Sequence, residues 1–409
     1  MALKYSITHN GNTWNSTTNL DSIPLSNGST TSSITTAGTR TLNCAGKVAA
    51  NNLVIGAKTL NCAGKIMAGN VTITAQNATK QRFAFTTSGG ATSYGNFFYC
   101  DAKNNPGTGS HWKTVRLEKG TSFSSIASDN NNTVCMISEN ANSSTTNVRG
   151  AISTDGGLSW SFYYVDGNVS GIIYSLCYGN GVFVGVGTGK DSKGQIIYST
   201  NGRNWSYAMQ GVDPAGPNAS GNTFGYVTYI NNKFWALAKK ENFYLYTSVD
   251  GVNWTRGALI PKISSVFTQT AVPREIVYGN GTYVILFNTS ATMPFTMCSS
   301  DGVTWNKGTT SYSRAGYLCY GAGIFVALPE ASTSSVMTSS DGLNWSSSNI
   351  GDTINGRGIC FGDGIFALKD SRIYVTASSD GTSWTPFSLI TTASGGNRLI
   401  AFGISDSAS

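Results

Sequence analysis

Three arginines stand in matching places along the 409-residue chain. Arg274, Arg357 and Arg398 each lie five residues before a glycine that closes an apolar run: Gly279, Gly362 and Gly403. Arg314 sits two residues further upstream of Gly321 in a run of the same kind, and Tyr174 takes the matching place before Gly179. Guanidinium groups gathered at one point hold carboxylate or phosphate, because their planar fork donates paired hydrogen bonds to two oxygens. Arg274, Arg314, Arg357, Arg398 and Tyr174 are therefore the candidate ligand-binding set, for a ligand carrying acid groups. The alternative is that the arginines are solvated, or pair with residues such as Glu275 and Asp352.

Other chemistry is sparse. Ordinary glycoside hydrolysis needs two carboxylates flanking one bond. The chain has five glutamates, Glu118, Glu139, Glu241, Glu275 and Glu330, and their spacing neither shows nor excludes such a pair. Gly185-Val-Gly-Thr-Gly-Lys190 looks like a phosphate loop, but the pattern needs glycine at 184 and Ser or Thr at 191, where Val184 and Asp191 stand. The eight cysteines form no C-x-x-C, and His9 and His111 lie far from any cysteine cluster, so neither a metal nor a cofactor is expected. Cys177, Cys319 and Cys360 occupy matching places before aromatic-glycine pairs and read as small buried thiols, too far apart to bridge.

The elements that must position the arginines are repeats. Ser339-Ser-Asp-Gly-Leu-Asn-Trp345 recurs at tryptophans 160, 205, 254, 305 and 384, so successive tryptophans are 45, 49, 51, 40 and 39 residues apart. A period of that length marks a repeat architecture. Each copy is turn chemistry: Asp or Asn folds the chain back on its own N–H groups, glycine supplies the tight turn, and the tryptophan anchors the returning strand. Its carboxylate is spent on the turn and is not a catalytic candidate. Between copies lie apolar strands ending in aromatic-glycine, a short turn, and a second apolar strand, as in Ile276–Ile285. Four antiparallel strands per repeat make a propeller blade. Six blades carry the tryptophan motif. A seventh combines three strands near Arg82–Phe85, Phe97–Cys100 and His111–Val115 with a last strand at Arg398–Gly403, so that strands from both ends of the chain close the ring. The expected fold is an all-β, seven-bladed β-propeller over residues 81–409, preceded by a small β-rich repeat module over residues 1–80. That module contains Thr41-Leu-Asn-Cys-Ala-Gly-Lys47 and an identical Thr59–Lys65, offset by 18 residues, which reads as two stacked β-units. Two units bury little alone, so the module is expected to pack against a partner or copies of itself.

Hydrophobic residues are 40% of the chain and charged residues only 11%, against roughly 25% in ordinary soluble domains. The net charge of +7 is scattered, with no basic run, so no nucleic-acid partner is expected. The first residues carry no apolar segment of the secretory kind, and no apolar run approaches the length of a membrane-spanning helix.

The motif resembles the Asp-box of sialidases and of secreted or viral propellers. Only Ser153–Trp160 has the full sialidase spacing; the other five copies are one residue shorter. That shorter form, alternating with hairpins such as Tyr278-Gly-Asn-Gly-Thr-Tyr-Val284, is similar to propellers of bacteriophage tail and receptor-binding proteins, as are the Thr-Leu-Asn-Cys-Ala-Gly-Lys repeats. The resemblance implies a virion tail protein, made in the bacterial cytoplasm, that is not an enzyme. Its N-terminal module would join it to other virion proteins, and its propeller would bind a bacterial surface glycan or receptor, as a homo-oligomer. The rivals are a structural or decoration protein of the particle, and a sialidase-like hydrolase. The Arg-Ile-Pro segment usual near the start of a sialidase propeller is absent.

Overall fold

The computed structural model describes residues 80–87, 93–120, 122–138, 148–165, 169–214, 223–240, 243–260, 271–289, 292–391 and 400–404, together with the backbone of seven strands among residues 1–79. The chain divides into two compact units, residues 1–79 with 408–409 and residues 80–407. In the first, Thr41–Cys44 pairs in parallel with Thr59–Cys62, and Val48–Ile55 with Ile66–Thr72, each residue opposite the one 18 positions later. The identical heptads thus stack as solenoid rungs. Tyr5–His9 and Asn12–Ser16 form an antiparallel hairpin beside them.

The second unit is a ring of four-stranded antiparallel sheets. Blade 1 joins Lys80–Thr87, Tyr94–Asp101 and Lys113–Lys119 to Ile400–Ile404 from the far end of the chain. Blades 2 to 5 open with Phe123–Ser128, Ile172–Gly179, Phe224–Ile230 and Ala271–Gly279. Blades 6 and 7 share one 17-residue strand, Ser346–Gly362, which is the outer strand of the first and runs straight on as the inner strand of the second. Among the described residues this makes seven blades. Blade 1 closes the ring by joining strands from the two ends of the second unit in one sheet.

The turn motifs work through their side chains. Ser339 Oγ accepts the N–H of Gly342 at 2.8 Å and donates to Asp341 Oδ1 at 2.9 Å. The same Oδ1 accepts the N–H groups of Leu343 and Asn344, both at 2.8 Å, and Trp345 Nε1 donates to Gly342 O at 2.9 Å. Partial burial raises the Asp341 pKa, but the bonds from Asn344, Leu343 and Ser339 outweigh it and hold the carboxyl at about 2. In blade 3 Asn201 makes the matching pair of bonds, to the N–H groups of Arg203 and Asn204.

The aromatic-glycine pairs are inter-blade contacts. A Cβ on Gly279 would lie 2.2 Å from the ring of Tyr320 in the next blade, and one on Gly321 would lie 2.1 Å from Phe361. Each aromatic therefore lies on the bare backbone of the blade before it. Asn280 adds hydrogen bonds across the same junction, to Gly323 O and Ser340 O, both at 2.9 Å.

Behind this belt the second strands supply one buried row of Phe85, Ile137, Val186, Leu237, Leu286, Leu328 and Lys369, all 0% exposed. Six are apolar and the seventh is an ammonium. Its Nζ has no hydrogen-bond partner among the described residues and lies 5.0 Å from the centre of the Phe85 ring, at the junction of blades 7 and 1.

Candidate functional site

Every described inner strand of blades 2 to 7 carries a β-bulge at one place. The pairing to the second strand slips between Phe123 and Ser125, Ile173 and Ser175, Phe224 and Tyr226, Pro273 and Glu275, Ala315 and Tyr317, and Gly356 and Gly358. The extra residues are Ser124, Tyr174, Gly225, Arg274, Gly316 and Arg357. A bulge leaves one residue outside the ladder and re-aims its side chain. Three of the five candidate residues, Tyr174, Arg274 and Arg357, are thus not ordinary strand positions but bulge residues. They sit at the end of the inner strands away from the turn motifs.

The structure brings Arg274 and Arg357 to one carboxylate. Glu330 follows the second strand of blade 6, Ile324–Pro329. Arg274 Nη2 donates to Glu330 Oε2 at 2.9 Å, and Arg357 Nη1 donates to Oε1 at 3.1 Å. Asn288 Nδ2 donates to Oε2 at 3.0 Å. The arginine side chains are 42% and 35% exposed and the carboxylate 25%, so this bridge across blades 5, 6 and 7 is open to solvent. Tyr317 lies beside it. Burial, with the charges of Glu330 and Glu275, pushes the Tyr317 phenol up, while Arg357 opposes.

Glycine at the bulge of blade 6 makes the bridge possible. A Cβ on Gly316 would lie 2.8 Å from Glu330 Cβ. Blade 4 repeats the device: a Cβ on Gly225 would lie 2.4 Å from Lys239 Cγ, and the Lys239 ammonium lies 3.6 Å from the centre of the Tyr174 ring. Thr188 Oγ1 donates to the Tyr174 hydroxyl at 3.4 Å. From blade 3 to blade 7 the rim therefore alternates: blades 3, 5 and 7 carry a long side chain on the bulge, and blades 4 and 6 carry glycine there with a charged residue just past the end of the second strand lying over it.

Arg314 is exposed and has a positive φ of 57°. Its backbone, not its guanidinium, meets the site: Arg314 N donates to Thr289 O and Arg314 O accepts from Glu330 N. Arg398 lies outside the described residues. The partners expected for the arginines are corrected: the counter-charge is Glu330, not Glu275 or Asp352. Glu275 is 3% exposed, and its Oε2 accepts the N–H of Leu318 in the next blade at 2.7 Å. Ser125 Oγ does the same for Leu176 N at 2.7 Å, and Ser175 Oγ for Val227 N at 3.2 Å. The residue after each of these bulges is a blade-to-blade tie. Asp352 bonds Thr353 N next to it. Glu330 and Lys239 escaped the sequence reading. Each stands nine residues past the end of its inner strand, Gly321 and Ile230, and counting forward as well as back from those positions would have found both.

The channel between the inner strands holds a cavity of about 400 Å³. Apolar side chains such as Ile276 and Leu318 line it together with the thiols Cys177, Cys319 and Cys360. Burial pushes the Cys177 thiol well up, away from the reactive thiolate. Among the described residues, no three His, Cys, Asp or Glu side chains converge as a metal cage.

No family model matches the sequence, and no curated protein matches it. Solved structures do. A periplasmic gluconolactonase of Pseudomonas aeruginosa matches with a TM-score of 0.55 at 10% identity, over 78% of this chain and 99% of its own. Apo AztD of Citrobacter koseri matches with a TM-score of 0.51 at 10% identity, over 80% and 98%. YCF48 of Cyanidioschyzon merolae matches with a TM-score of 0.50 at 15% identity, over 70% and 90%. These comparisons correct two expectations. The tail-protein reading, as a receptor binder or as a structural virion part, fails: the neighbours are a lactonase, AztD and YCF48, and none of the three is a virion protein. The exclusion of enzyme chemistry fails with it, because an enzyme stands among them. At these identities the likeness is one of fold, and what it shows is that the chain is a β-propeller.

Proposed function

We propose that the rim built by Arg274, Glu330 and Arg357 binds a small, hydroxyl-rich anion, a molecule of the sugar-acid or sugar-phosphate class. The observation that carries this is the convergence of two guanidinium groups, from blades 5 and 7, on one solvent-open carboxylate of blade 6. Three charges sum to one positive, and both arginine side chains remain partly open to solvent. Guanidinium forks match carboxylate and phosphate oxygens, and Asn288 and Tyr317 supply hydrogen-bonding groups for hydroxyls. Lys239 on Tyr174, further round the rim, and the exposed Arg314 extend the positive surface.

The test is calorimetric titration of the full chain with gluconate, 6-phosphogluconate and glucose, at two ionic strengths. The reading expects both anions to bind, glucose to bind more weakly than either, and affinity to fall with salt. In the Arg274→Ala/Arg357→Ala double variant, anion affinity drops at least about tenfold. Equal binding of glucose and the anions, or indifference to the double substitution, refutes it.

A second reading, lactone hydrolysis at the same rim, is favoured by the placing of a carboxylate against two guanidinium groups. Glu330 would take a proton from water as the water oxygen adds to the lactone carbonyl. The arginines would hold the carbonyl oxygen as it gains charge, and the ring C–O bond would then break as the ring oxygen takes the proton from Glu330, leaving the hydroxy acid and restoring the Glu330 carboxylate. Gluconolactone hydrolysis by the wild type and the Glu330→Gln variant tests it; equal rates in both, or a rate no higher than buffer, refute it.

The repeat module of residues 1–79 is proposed as an oligomerisation element, since among the described residues the last strand of its parallel stack, Ile66–Thr72, is paired on one side only. Light scattering of the full chain beside a chain lacking those residues tests this; a monomer in both refutes it.

A further inference from the structure

We infer that Glu330 is a built-in stand-in for the ligand's acid group, and that it sets how tightly the rim holds an anion. The inference deepens the anion-binding reading and rests on it. Glu330 takes one hydrogen bond from each guanidinium, 2.9 Å from Arg274 and 3.1 Å from Arg357, and a third from Asn288 at 3.0 Å. It is bidentate to neither arginine. A carboxylate spanning two guanidiniums in this way sits where an incoming carboxylate or phosphate would span them.

Three features mark the contact as a fitted competitor rather than a chance surface pair. First, its three partners come from blades 5 and 7, reached across two blade junctions from blade 6. Second, the path is cleared by Gly316, which stands at the bulge where blades 5 and 7 carry arginine; any Cβ there would collide with Glu330 Cβ. Third, the backbone N–H of Glu330 is held by Arg314 O at 2.7 Å, which fixes the residue at the end of its strand. The carboxylate is nevertheless partly exposed, so solvent and solute reach it. An anion entering the rim must either displace Glu330 from both arginines or bind against its charge. A neutral polyol needs to do neither.

Neutralising the residue without changing its size separates these effects. Calorimetric titration of the full-length Glu330→Gln variant with gluconate is expected to give about tenfold tighter binding than wild type, the change expected from removing one like charge a few ångströms from the anion at a screened surface. Glucose affinity should stay within about twofold, within the scatter of one weak hydrogen bond. Glu330→Ala is expected to move gluconate affinity in the same direction, and circular dichroism and the melting temperature of both variants establish that they fold. Adding Arg357→Ala to Glu330→Gln should remove the gain. Unchanged or weaker gluconate binding in both folded Glu330 variants overturns the inference; if the wild type still binds gluconate through its arginines, the anion reading stands without it. Binding by Glu330→Gln but not by wild type supports the inference and shows the wild-type rim to be closed by its own carboxylate. Binding by neither overturns both.

Discussion

Replacing Lys369 by methionine should stabilise the propeller at neutral pH, by an amount that shrinks as pH rises. Lys369 fills the blade 7 place in a row that is otherwise Phe, Ile, Val and Leu, and among the described residues its Nζ has no hydrogen-bond partner and lies over the face of Phe85. Burial, against the pull of Asp370 and with the push of Arg357, lowers its pKa from 10.5 to about 7. The unfolded chain keeps the proton up to its ordinary pKa, whereas the folded chain releases it from about pH 7 upward. Between those limits the unfolded state binds more protons, so stability rises with pH, and below pH 7 the whole penalty is present. A separation of about 3.5 units corresponds to about 5 kcal/mol in full, of which about 4 kcal/mol is felt at pH 7 and about 2 kcal/mol at pH 9. Methionine matches the length of the lysine stem and carries no charge. The assay is equilibrium unfolding of the full chain in denaturant at pH 7 and pH 9, followed by tryptophan fluorescence, for wild type and Lys369→Met. The gain at pH 9 should be about half that at pH 7. An equal gain at both values would show that the lysine does not titrate between them. A loss at both would show that the ammonium has a partner and that the account of its burial is wrong.

Other substitutions test the ring itself. Gly279→Ala puts a methyl group into the Tyr320 ring and should lower stability by about 1–3 kcal/mol, with much of the loss recovered when Tyr320→Ala is added; additive losses in the double variant would refute the contact. Asp341→Ala should destabilise by about 1 kcal/mol by orphaning two turn N–H groups, whereas Asp341→Asn should be nearly silent at neutral pH, as Asn201 is in blade 3. Because the Asp341 carboxyl is held below its unfolded value, its stabilising charge is complete above about pH 4 and is lost as pH falls towards 2. The wild-type melting temperature should fall through that window more than that of Asp341→Asn, and parallel curves would refute the assignment. Glu275→Ala should cost about 1–3 kcal/mol by leaving the buried Leu318 N–H without its acceptor, and full stability in that variant would show that another group takes over.

The fold was legible because its signals are local. A Ser-x-Asp-Gly-x-x-Trp turn closes on its own atoms, so six copies spell six hairpins without knowledge of what surrounds them. The seventh blade was legible by elimination, from strands left over at the two ends, and Ile400–Ile404 pairs with Lys80–Thr87 in that way. The 18-residue offset of the N-terminal heptads likewise reappears as strand register. The candidate site was half legible. Counting back from the glycines found Arg274 and Arg357 because each bulge stands at a constant distance from its glycine, but the bulge itself leaves no mark on the sequence. Glu330 was missed because its partners lie 56 residues before it and 27 after it, a pairing that only ring closure creates. Lys369 was missed because Phe366-Ala-Leu-Lys-Asp370 reads as a strand running out into solvent, whereas blade 1 covers its end. The virion reading failed for a further reason. Turn motifs report how hairpins close, and propellers of unrelated function share that chemistry.

The measurement that bears most directly on the rim is a crystal structure of the full chain soaked with 6-phosphogluconate at saturating concentration. The account predicts an acid group of the ligand within hydrogen-bonding distance of both Arg274 and Arg357, with the Glu330 carboxylate moved off at least one of them. A ligand bound elsewhere, or an undisturbed Arg274–Glu330–Arg357 bridge at full saturation, would contradict it.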